Sequence, residues 1–363
     1  MKAFYHLFIA LAAVAALVSC KQKPMELELP ESMVKLPGGT ILKIHDTEHH
    51  DVFARFNEAT VRGTLVYMGE MDFLPADYSE NVSVVLSYGT ESRNLTQNVP
   101  CTLGEPVADK WKTTVPFTAE LSGLKDGTDY FFKTTATYGE EPSIVNAESS
   151  FFTFPEGPVD LDLPSGNLWA SLNLGAGDVI DAGNLYAWAE TTTRKPGFPY
   201  DWTTYKWVHW ATGSEFGLIK YCNFYLSGDN GFTDDKTVIE SSDDAAAQNL
   251  GDGWHIPTNR DWTELNDYCD WTPESVGGMN GWIVRSKFNT SDNNKVIFIP
   301  CSGYMNGTEM LDACLTGYYW SSELYSSANF MAYHFELGTE DNHELSKSLG
   351  RCYGMPIRPV KGK

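Results

Sequence analysis

The stretch GDGWHIPTNRDWTELNDYC, from Gly251 to Cys269, carries the clearest helix signal in the chain. Thr258 is a candidate N-cap residue, and Asp261 follows it three positions later, which is the spacing of a capping box with aspartate in place of the usual glutamate. Apolar residues then recur at positions i, i+3 and i+7, and this spacing predicts one apolar stripe that packs against a core. The stripe consists of Trp262, Leu265 and Cys269.

The rest of the C-terminal half contains little helical pattern. One further short helix is predicted in SSDDAAAQNLGDG, from Ser241 to Gly253, with acids in its first turn and glycine after its end. Late strands are predicted in KVIFIPCSGY, NFMAYHFELG and YGMPIRPV, and the long segments between these elements show no regular period. The pattern predicts an α+β domain with much ordered coil.

His255 lies just before the predicted helix and raises the question of catalysis. A catalytic histidine needs a partner, and the sequence contains no nucleophile motif such as G-x-S-x-G. We interpret Trp254 as a source of buried apolar area and Pro257 as a residue that stiffens the entry into the helix. His255 is then a packing or surface residue.

The N-terminal half alternates apolar and polar residues in short segments rich in β-formers, which predicts an all-β sandwich. The segment from Leu121 to Gly139 resembles the fibronectin type III pattern, in which a tyrosine near the start of a late strand hydrogen-bonds back to the backbone. The matching residues are Leu124, Gly127, Thr128 and Tyr130, with Asp126 in place of the usual proline. The resemblance implies a fibronectin III or Ig-like sandwich over residues 51–156. Because this fold is so widely reused, we interpret it as a spacer, with ligand binding as the alternative.

The first twenty residues have the composition of a secretory signal. An apolar run from Leu7 to Val18 is too short to span a bilayer, and the last four residues, Leu17 to Cys20, resemble a bacterial lipobox. This predicts a lipoprotein signal peptide over residues 1–20, acylation of Cys20 and a flexible tether over 21–50. The alternative is an ordinary signal peptide with an incidental cysteine.

The formal net charge of −22 sets limits on partners. A field of this sign repels nucleic acid and anionic membrane surfaces, so we expect neither as a partner, and we expect contact with the membrane only through the N-terminal lipid. Six cysteines remain beyond Cys20, with no CxxC pair and no spacing that suggests zinc. Export permits disulfides, but five of the six lie after residue 200, so at least one cannot pair within that half; the pairing stays open.

Several C-terminal motifs, taken in order, resemble the Fibrobacter succinogenes major paralogous domain, a family of secreted and lipid-anchored proteins generally placed with C-type-lectin-like folds. They are LPSGNLWASLNLGA, GNLYAWAE, the pair Tyr221-Cys222, DAAAQNLGDGWHIPT, GYYWSS and GMPIRPV. The family's typical WR-x-PT has His255 in place of arginine here. The resemblance implies a C-type-lectin-like α+β domain over residues 158–363, in a Bacteroidota-type outer-membrane lipoprotein facing the cell surface or the periplasm.

Metal-binding patterns are weak. HDTEHHD, from His45 to Asp51, could hold a metal, yet it lies between the predicted tether and the predicted sandwich and contains no HExxH. Acidic loops such as SGDNGFTDDK lack the ordered alternation of a calcium loop, and the sugar-binding triplets of calcium-dependent lectins do not occur. We therefore expect no metal and no cofactor.

The segment YAWAETTTRKPGFPYDWTTYKWVHWATG crowds seven tyrosines and tryptophans into 25 positions. Such side chains can present flat faces to sugar rings or bury large area against a protein, although an irregular domain also needs them in its core. We expect most of the rings to be buried, with about two exposed. The predicted ligand-binding residues are Trp202, Tyr205, Trp207, Trp210, Asp229 and Asn230.

These features together predict a cell-envelope protein that binds a glycan or a surface protein through its C-terminal domain. A structural or assembly role in a surface or fimbrial complex is the alternative. A third possibility follows from the resemblance, since formylglycine-generating enzymes share the broad fold and use a cysteine pair. That reading would need two of Cys269, Cys301, Cys314 and Cys352 side by side, and no motif supports it.

Overall fold

The computed structural model describes residues 29–37, 39–45, 51–69, 74–75, 78–210, 215–338 and 343–363, with only the backbone described at 346–348. The predicted signal peptide, the lipidation candidate Cys20 and residues 21–28 of the predicted tether lie outside the described residues. So do residues 46–50 of the histidine-rich segment. In the ranges that are described, no helix has the length and apolar character to cross a bilayer.

The N-terminal part contains two antiparallel sheets. The first has the strand order β1-β2-β4-β9-β7, with β3 paired to β4 and β8 to β9. Its central pair, β4 and β9, aligns eleven residues, and every second side chain of β9 from Thr113 to Leu121 is buried. The strands are β1 (Met33–Lys35), β2 (Ile41–Ile44), β3 (Val52–Ala54), β4 (Glu58–Met68), β7 (Thr102–Leu103), β8 (Val107–Asp109) and β9 (Lys112–Ser122).

The second sheet has the order β11-β10-β5-β6, with β12 paired to β10. Alternate residues of β10, from Tyr130 to Tyr138, are buried, and they pack with apolar residues of the first sheet in two shared core clusters. The predicted alternation is therefore confirmed. The elements are β5 (Val82–Gly89), β6 (Gln97–Pro100), β10 (Asp129–Tyr138), β11 (Ile144–Val145) and β12 (Ser149–Phe152), preceded by the single-turn helix α1 (Tyr78–Asn81).

The predicted tether is wrong at its C-terminal end. Strands β1 and β2 lie within residues 21–50, and β2 pairs with β4 over four residues. Val34, Leu42 and Ile44 are buried in the core between the sheets. Each of these strands is only three or four residues long, so its alternation is too short to be distinguished from coil in the sequence.

The predicted tyrosine contact is present. The hydroxyl of the buried Tyr130 accepts a hydrogen bond of 2.9 Å from the backbone N–H of Lys125, and the side chain of Leu124 is buried beside it. This contact closes the turn that leads into β10.

The C-terminal part contains several small antiparallel sheets rather than one large sheet. The prediction of a mostly β, multi-sheet chain is confirmed, while the fibronectin type III and C-type-lectin-like assignments stay predictions. One sheet has the order β13-β14-β26-β17, so β26, the last strand, pairs with β14 near the start of the C-terminal part. Two sheets have three strands, β18-β19-β20 and β23-β24-β25, and two are hairpins, β15-β16 and β21-β22.

The C-terminal strands are β13 (Pro158–Val159), β14 (Leu168–Ala170), β15 (Val208–Trp210), β16 (Phe216–Leu218), β17 (Trp254–His255), β18 (Cys269–Val276), β19 (Met279–Ser286), β20 (Val296–Pro300), β21 (Tyr304–Asn306), β22 (Glu309–Leu311), β23 (Gly317–Leu324), β24 (Met331–Leu337), β25 (His343–Gly350) and β26 (Val360–Lys361). Two 3₁₀ turns are formed by Asp229–Gly231 and Ser241–Asp243.

Both helices predicted in the C-terminal part are confirmed. Helix α2 (Ala245–Leu250) is capped by Asp244, whose carboxylate accepts two backbone N–H bonds, and it ends at Gly251 with a φ of 89°. Helix α3 (Asn259–Tyr268) begins with the complete capping box of Thr258 and Asp261. The stripe Trp262, Leu265 and Cys269 is buried in the central core.

The two parts contact each other directly. Arg55 of the N-terminal part lies 2.5 Å from the carboxylate of Asp178, and the guanidinium of Arg285 lies 5.0 Å from the ring centroid of Phe152. The rings of Phe154 and Phe298 meet at 6.2 Å within a cluster that draws on both parts. In the segment that joins them, alternate residues are buried, and these residues, Val159, Leu161 and Leu163, belong to the central core of the C-terminal part.

Candidate functional site

The candidate site is built on the hairpin β15-β16 and on the loop that packs against it. Backbone pairing joins Val208 to Leu218, and Leu218 in turn forms a bridge with Gly228 and donates its N–H to Ser227 O at 2.9 Å. At Gly217 an added Cβ would lie 2.3 Å from the Cα of Asp229, so only glycine permits this close approach. The hairpin and the loop therefore form one unit.

Tyr205 is not a surface residue, and the prediction that it binds ligand is wrong. Its side chain is buried, and its hydroxyl forms two hydrogen bonds inside the domain. It donates to the carbonyl of Trp188 at 2.8 Å and accepts from Nε of Arg351 at 3.0 Å. Because the ring is buried and the hydroxyl already donates and accepts inside the domain, Tyr205 offers no exposed surface to a ligand.

Trp207 is half-buried, and its ring lies close to two cations. The ammonium groups of Lys206 and Lys220 lie 4.1 Å and 4.9 Å from the ring centroid. Its indole N–H donates to the carbonyl of Ala189 at 2.8 Å. Lys220 is itself held by ion pairs with Glu240 and Asp243, so these contacts fix Trp207 within the domain.

Trp202 is also half-buried, in a group of aromatic rings. Its ring lies 5.4 Å from that of Phe216 and 5.3 Å from that of Phe330. Trp210 lies at the outer edge of the same group, 4.7 Å from Phe216, and is 40% exposed. Its N–H donates to the carbonyl of Trp202 at 3.2 Å, which fixes the ring orientation. Of the predicted aromatic residues, Trp210 has the most accessible face.

The two predicted polar residues lie at the 3₁₀ turn of the loop. The half-buried carboxylate of Asp229 contacts Nδ1 of His209 at 2.9 Å and so ties the loop to β15. Asn230 is exposed, with a φ of 49°. The structure thus places Trp210, His209, Asp229 and Asn230 on the same unit.

Three exposed apolar residues of this loop were missed by the sequence analysis. Phe224, Tyr225 and Leu226 are 48%, 59% and 70% exposed. The carboxamide oxygen of Asn329 accepts from the backbone N–H groups of Asn223 and Phe224 at 2.9 and 3.0 Å, so the loop backbone is fixed. The run of three apolar residues before Ser227-Gly228 was the signal that could have revealed them. We call Trp210, His209, Phe224, Tyr225, Leu226, Asp229 and Asn230 the hairpin surface.

A buried arginine holds the support of the hairpin surface together. Arg351 is fully buried, and its guanidinium donates to the carbonyls of Lys220, Tyr221 and Asn329 at 3.2, 2.9 and 3.0 Å. Its Cζ also lies 4.7 Å from the ring centroid of Trp188. One side chain therefore links the exit of the hairpin to the segment that carries Asn329.

Apart from the hairpin surface, a cleft lies where the two parts meet. This cleft of about 320 Å³ is lined by Phe56 from the N-terminal part and by Leu250 and Trp254 from the C-terminal part, with Glu156 and Asn173 among its polar groups. It is mostly apolar and contains none of the predicted site residues.

Among the residues that the structure describes, the cysteines form no disulfide and the acidic side chains form no metal-type group. The described cysteines are free, and burial raises the pKa of Cys269 and Cys352 to about 12, which keeps both thiols protonated at neutral pH. Across the described ranges, no three or more His, Cys, Asp or Glu side chains are grouped so that they could hold a metal ion. His255 contacts Asp261 at 3.4 Å, beside the helix cap.

No protein-family model and no curated protein matches the chain. Among solved structures, a purple acid phosphatase from yellow lupin (Lupinus luteus) seeds matches 33% of this chain and 25% of its own, at 12% identity and a TM-score of 0.22. An uncharacterised protein of Listeria monocytogenes, solved with α-D-glucose, β-D-glucose, magnesium and calcium, matches over 83% and 22%, at 8% identity and a TM-score of 0.24.

The cycloalternan-forming enzyme of Listeria monocytogenes, in complex with a pentasaccharide substrate, matches over 82% of this chain and 20% of its own, at 10% identity and a TM-score of 0.23. The chain thus spans a quarter or less of the length of these solved chains. Similarities this low carry no argument about fold or activity.

Proposed function

We propose that this protein is a lipid-anchored protein of the cell envelope that binds a glycan or a protein ligand through the hairpin surface. In this proposal the N-terminal part is a fibronectin type III-like spacer, and the C-terminal part is a C-type-lectin-like module of the Fibrobacter succinogenes major paralogous type. The membrane contact is the lipid on Cys20 at the outer membrane. The observation that carries the binding role is the exposure of Phe224, Tyr225 and Leu226 on a fixed loop.

Exposed apolar residues on an ordered loop favour a binding role for a physical reason. Neighbouring apolar side chains that are exposed to solvent often mark an interaction site. The loop backbone is held by Asn329, so its ordering entropy is already paid for by folding, and binding loses little further freedom.

The composition of the hairpin surface suits a glycan or a protein. Trp210 offers a flat face beside the hydrogen-bonding groups of His209, Asp229 and Asn230, which is a combination that suits a sugar. Phe224 and Leu226 offer the apolar area found in the centre of protein interfaces. One experiment with two arms separates these ligands.

The test compares the purified protein with the variants Trp210→Ala and Leu226→Ser on a glycan array and against immobilised cell-surface glycoproteins, with calcium and with chelator. Trp111→Ala is the matched control, because Trp111 is 72% exposed but lies in the N-terminal part. We expect saturable binding that falls at least about tenfold in Trp210→Ala or Leu226→Ser, since interface hot spots contribute this much or more, and that is unchanged in Trp111→Ala.

The pattern of loss identifies the ligand. Binding to the glycan array, together with loss of glycoprotein binding after enzymatic deglycosylation, identifies a sugar. Glycoprotein binding that survives deglycosylation identifies a protein. Binding that is equal in all four proteins would remove the hairpin surface from the site. Absence of any binding, together with partner chains that copurify with the protein from its membrane, would favour the structural or assembly role instead.

A further inference from the structure

A second group of aromatic residues lies on the C-terminal part, built from three separate segments. Tyr304 of β21 and Tyr318 of β23 have ring centroids 4.7 Å apart, and Tyr353 lies 5.7 Å from Tyr304. The backbones of Met305 and Gly354 exchange hydrogen bonds of 2.7 and 3.0 Å, which holds two of these segments side by side. All three tyrosines are half-buried, so each ring keeps part of its surface accessible.

Two carboxylates lie against these rings. Asp312 accepts the hydroxyl hydrogen bond of Tyr318 at 2.9 Å, and Glu336 is the cross-strand partner of Tyr318 in the pairing of β23 with β24. Burial raises the pKa of Tyr318, and the charges of Asp312 and Glu336 raise it further; both carboxylates act on the pKa of Tyr304 in the same direction. The group therefore places two carboxylates close enough to Tyr304 and Tyr318 to act on them electrostatically.

A buried histidine lies behind Glu336 without a hydrogen bond. His334 is fully buried, and neither ring nitrogen has a hydrogen-bond partner among the described residues. Its Nε2 lies 3.8 Å from Oε2 of Glu336, which is too long for a hydrogen bond, and its ring lies 5.8 Å from that of Tyr318. The contact with His334 lowers the pKa of Glu336, so this carboxylate is ionised at neutral pH, while neither His334 nitrogen has a full hydrogen bond, which is costly in the core.

We infer that Tyr304, Tyr318, Tyr353, Asp312 and Glu336 form a binding site for a primary ammonium group, such as a lysine side chain or a free diamine carries. We call these five residues, with His334 behind them, the tyrosine cluster.

An ammonium group fits the chemistry of the tyrosine cluster better than a metal ion does. It offers three donors and no acceptor, which suits two carboxylates, and a cation is attracted to tyrosine faces. A hard metal ion needs six or more oxygen ligands, whereas the cluster offers two carboxylates and the described chain has no group of three candidate metal ligands. Tyr353 packs in the same aromatic group as Trp202 and Val208, below the hairpin surface, but none of the five residues belongs to that surface and the inference does not depend on the function proposed above.

The test measures binding of two probes, Nα-acetyl-lysine methylamide and cadaverine, to the purified protein by saturation-transfer NMR and calorimetry. The neutral analogue Nα-acetyl-norleucine methylamide controls for apolar contact. Glu336→Gln and Asp312→Asn each remove one charge at nearly constant shape, and asparagine tolerates the φ of 55° at position 312. Glu140→Gln removes one charge from an exposed position of the N-terminal part, so it controls for general attraction of cations to an acidic chain.

We expect saturable binding of at least one cationic probe with a Kd on the order of 1 mM, weakened about fivefold or more in Glu336→Gln and Asp312→Asn. Glu140→Gln and Trp210→Ala should bind like the unmodified protein, and the latter separates this site from the hairpin surface. Tighter binding of the lysine derivative identifies a polypeptide ligand, and tighter binding of cadaverine a free diamine.

Three results would overturn the inference. One is equal binding of the neutral analogue, which would mean that charge is not recognised. Another is a loss in Glu140→Gln as large as in Glu336→Gln and Asp312→Asn. The third is the absence of saturation for both cationic probes up to about 10 mM, an affinity too weak for a specific site.

Discussion

The N-terminal and C-terminal parts satisfy their buried backbone groups in different ways. In the N-terminal part, long strands do so: β4 and β9 pair along eleven residues, and the side chains between the sheets can be purely apolar, as at Leu65 and Phe117. In the C-terminal part, side chains supply many of the donors. The indole N–H groups of Trp188 and Trp320 donate to the carbonyls of Ser321, in the irregular stretch of β23, and of Tyr186 at 2.9 and 2.7 Å.

This difference explains the composition of the two halves. A carbonyl that is buried without a neighbouring strand to pair with it needs a donor from elsewhere, because an unpaired buried polar group is costly. Tryptophan and arginine supply a donor together with a large apolar surface. Ten of the eleven tryptophans accordingly lie beyond residue 160, and the fully buried Arg358 donates to the carbonyls of Ala170 and Phe298 at 3.1 and 2.7 Å.

The largest expected effect comes from removing a buried arginine. Arg351→Met leaves three carbonyls and the hydroxyl of Tyr205 without their donor, so we expect the free energy of unfolding to fall by about 3 kcal/mol or more. Denaturant unfolding followed by tryptophan fluorescence reports on this part of the chain. Arg260→Met is the matched control, since the side chain of Arg260 is 78% exposed, and it should change stability by less than about 0.5 kcal/mol. Equal effects of the two substitutions would contradict the role given to buried donors.

A smaller loss is expected from removing one indole donor. Trp188→Phe keeps the aromatic ring but leaves the carbonyl of Ser321 unpaired in the core, so the free energy of unfolding should fall by about 1–3 kcal/mol. Trp111→Phe, at a site that is 72% exposed, should be neutral in the same denaturant experiment, read by circular dichroism. If both variants unfold at the same denaturant concentration, the hydrogen bond from the Trp188 indole to Ser321 does not stabilise the C-terminal part.

In the N-terminal part, one side-chain contact should matter less because strands satisfy most backbone groups. Tyr130→Phe removes the acceptor of the Lys125 N–H, and since Lys125 is exposed, water can replace it in part. We expect a loss of about 1 kcal/mol in calorimetric unfolding and faster hydrogen exchange at the Lys125 amide. Tyr225→Phe, on an exposed ring, serves as the control. A loss as large as that of Arg351→Met would break the distinction between the two parts.

The smallest effect concerns pH. Burial lowers the pKa of His255, but the hydrogen bond and charge of Asp261 outweigh burial and the pKa is raised. The stabilising contribution is therefore complete below about pH 6.5, the ordinary histidine pKa, and is lost as the pH rises through the raised value. His255→Arg keeps the positive charge at alkaline pH. Between neutral and alkaline pH, the free energy of unfolding of this variant should therefore fall less than that of the unmodified protein, the difference being less than about 1 kcal/mol. Thermal unfolding of both proteins across this range checks the sign, and parallel curves would show that the pair with Asp261 contributes nothing.

Elements that depend on spacing along one segment can be predicted from the amino-acid sequence. The capping box of Thr258 and Asp261, the stripe below it and the alternation of β9 all follow from residues a few positions apart, and each is present in the structure. The contact from Tyr130 to Lys125 is local in the same sense. Backbone geometry fixes which neighbours share a face, so such patterns can be read without knowing the rest of the fold.

Which aromatic rings reach solvent depends on contacts between segments that are distant in sequence. Tyr205 is buried where its hydroxyl accepts a hydrogen bond from Arg351, which lies far along the chain. Trp207 is contacted by Lys220, which follows the hairpin. The three tyrosines of the tyrosine cluster come from segments that share no sequence pattern. Strand β2 forms by pairing with the edge of β4, and β1 forms by pairing with β2. In coil without a period, exposure depends on what distant segments pack against each ring, and that information is absent from local spacing.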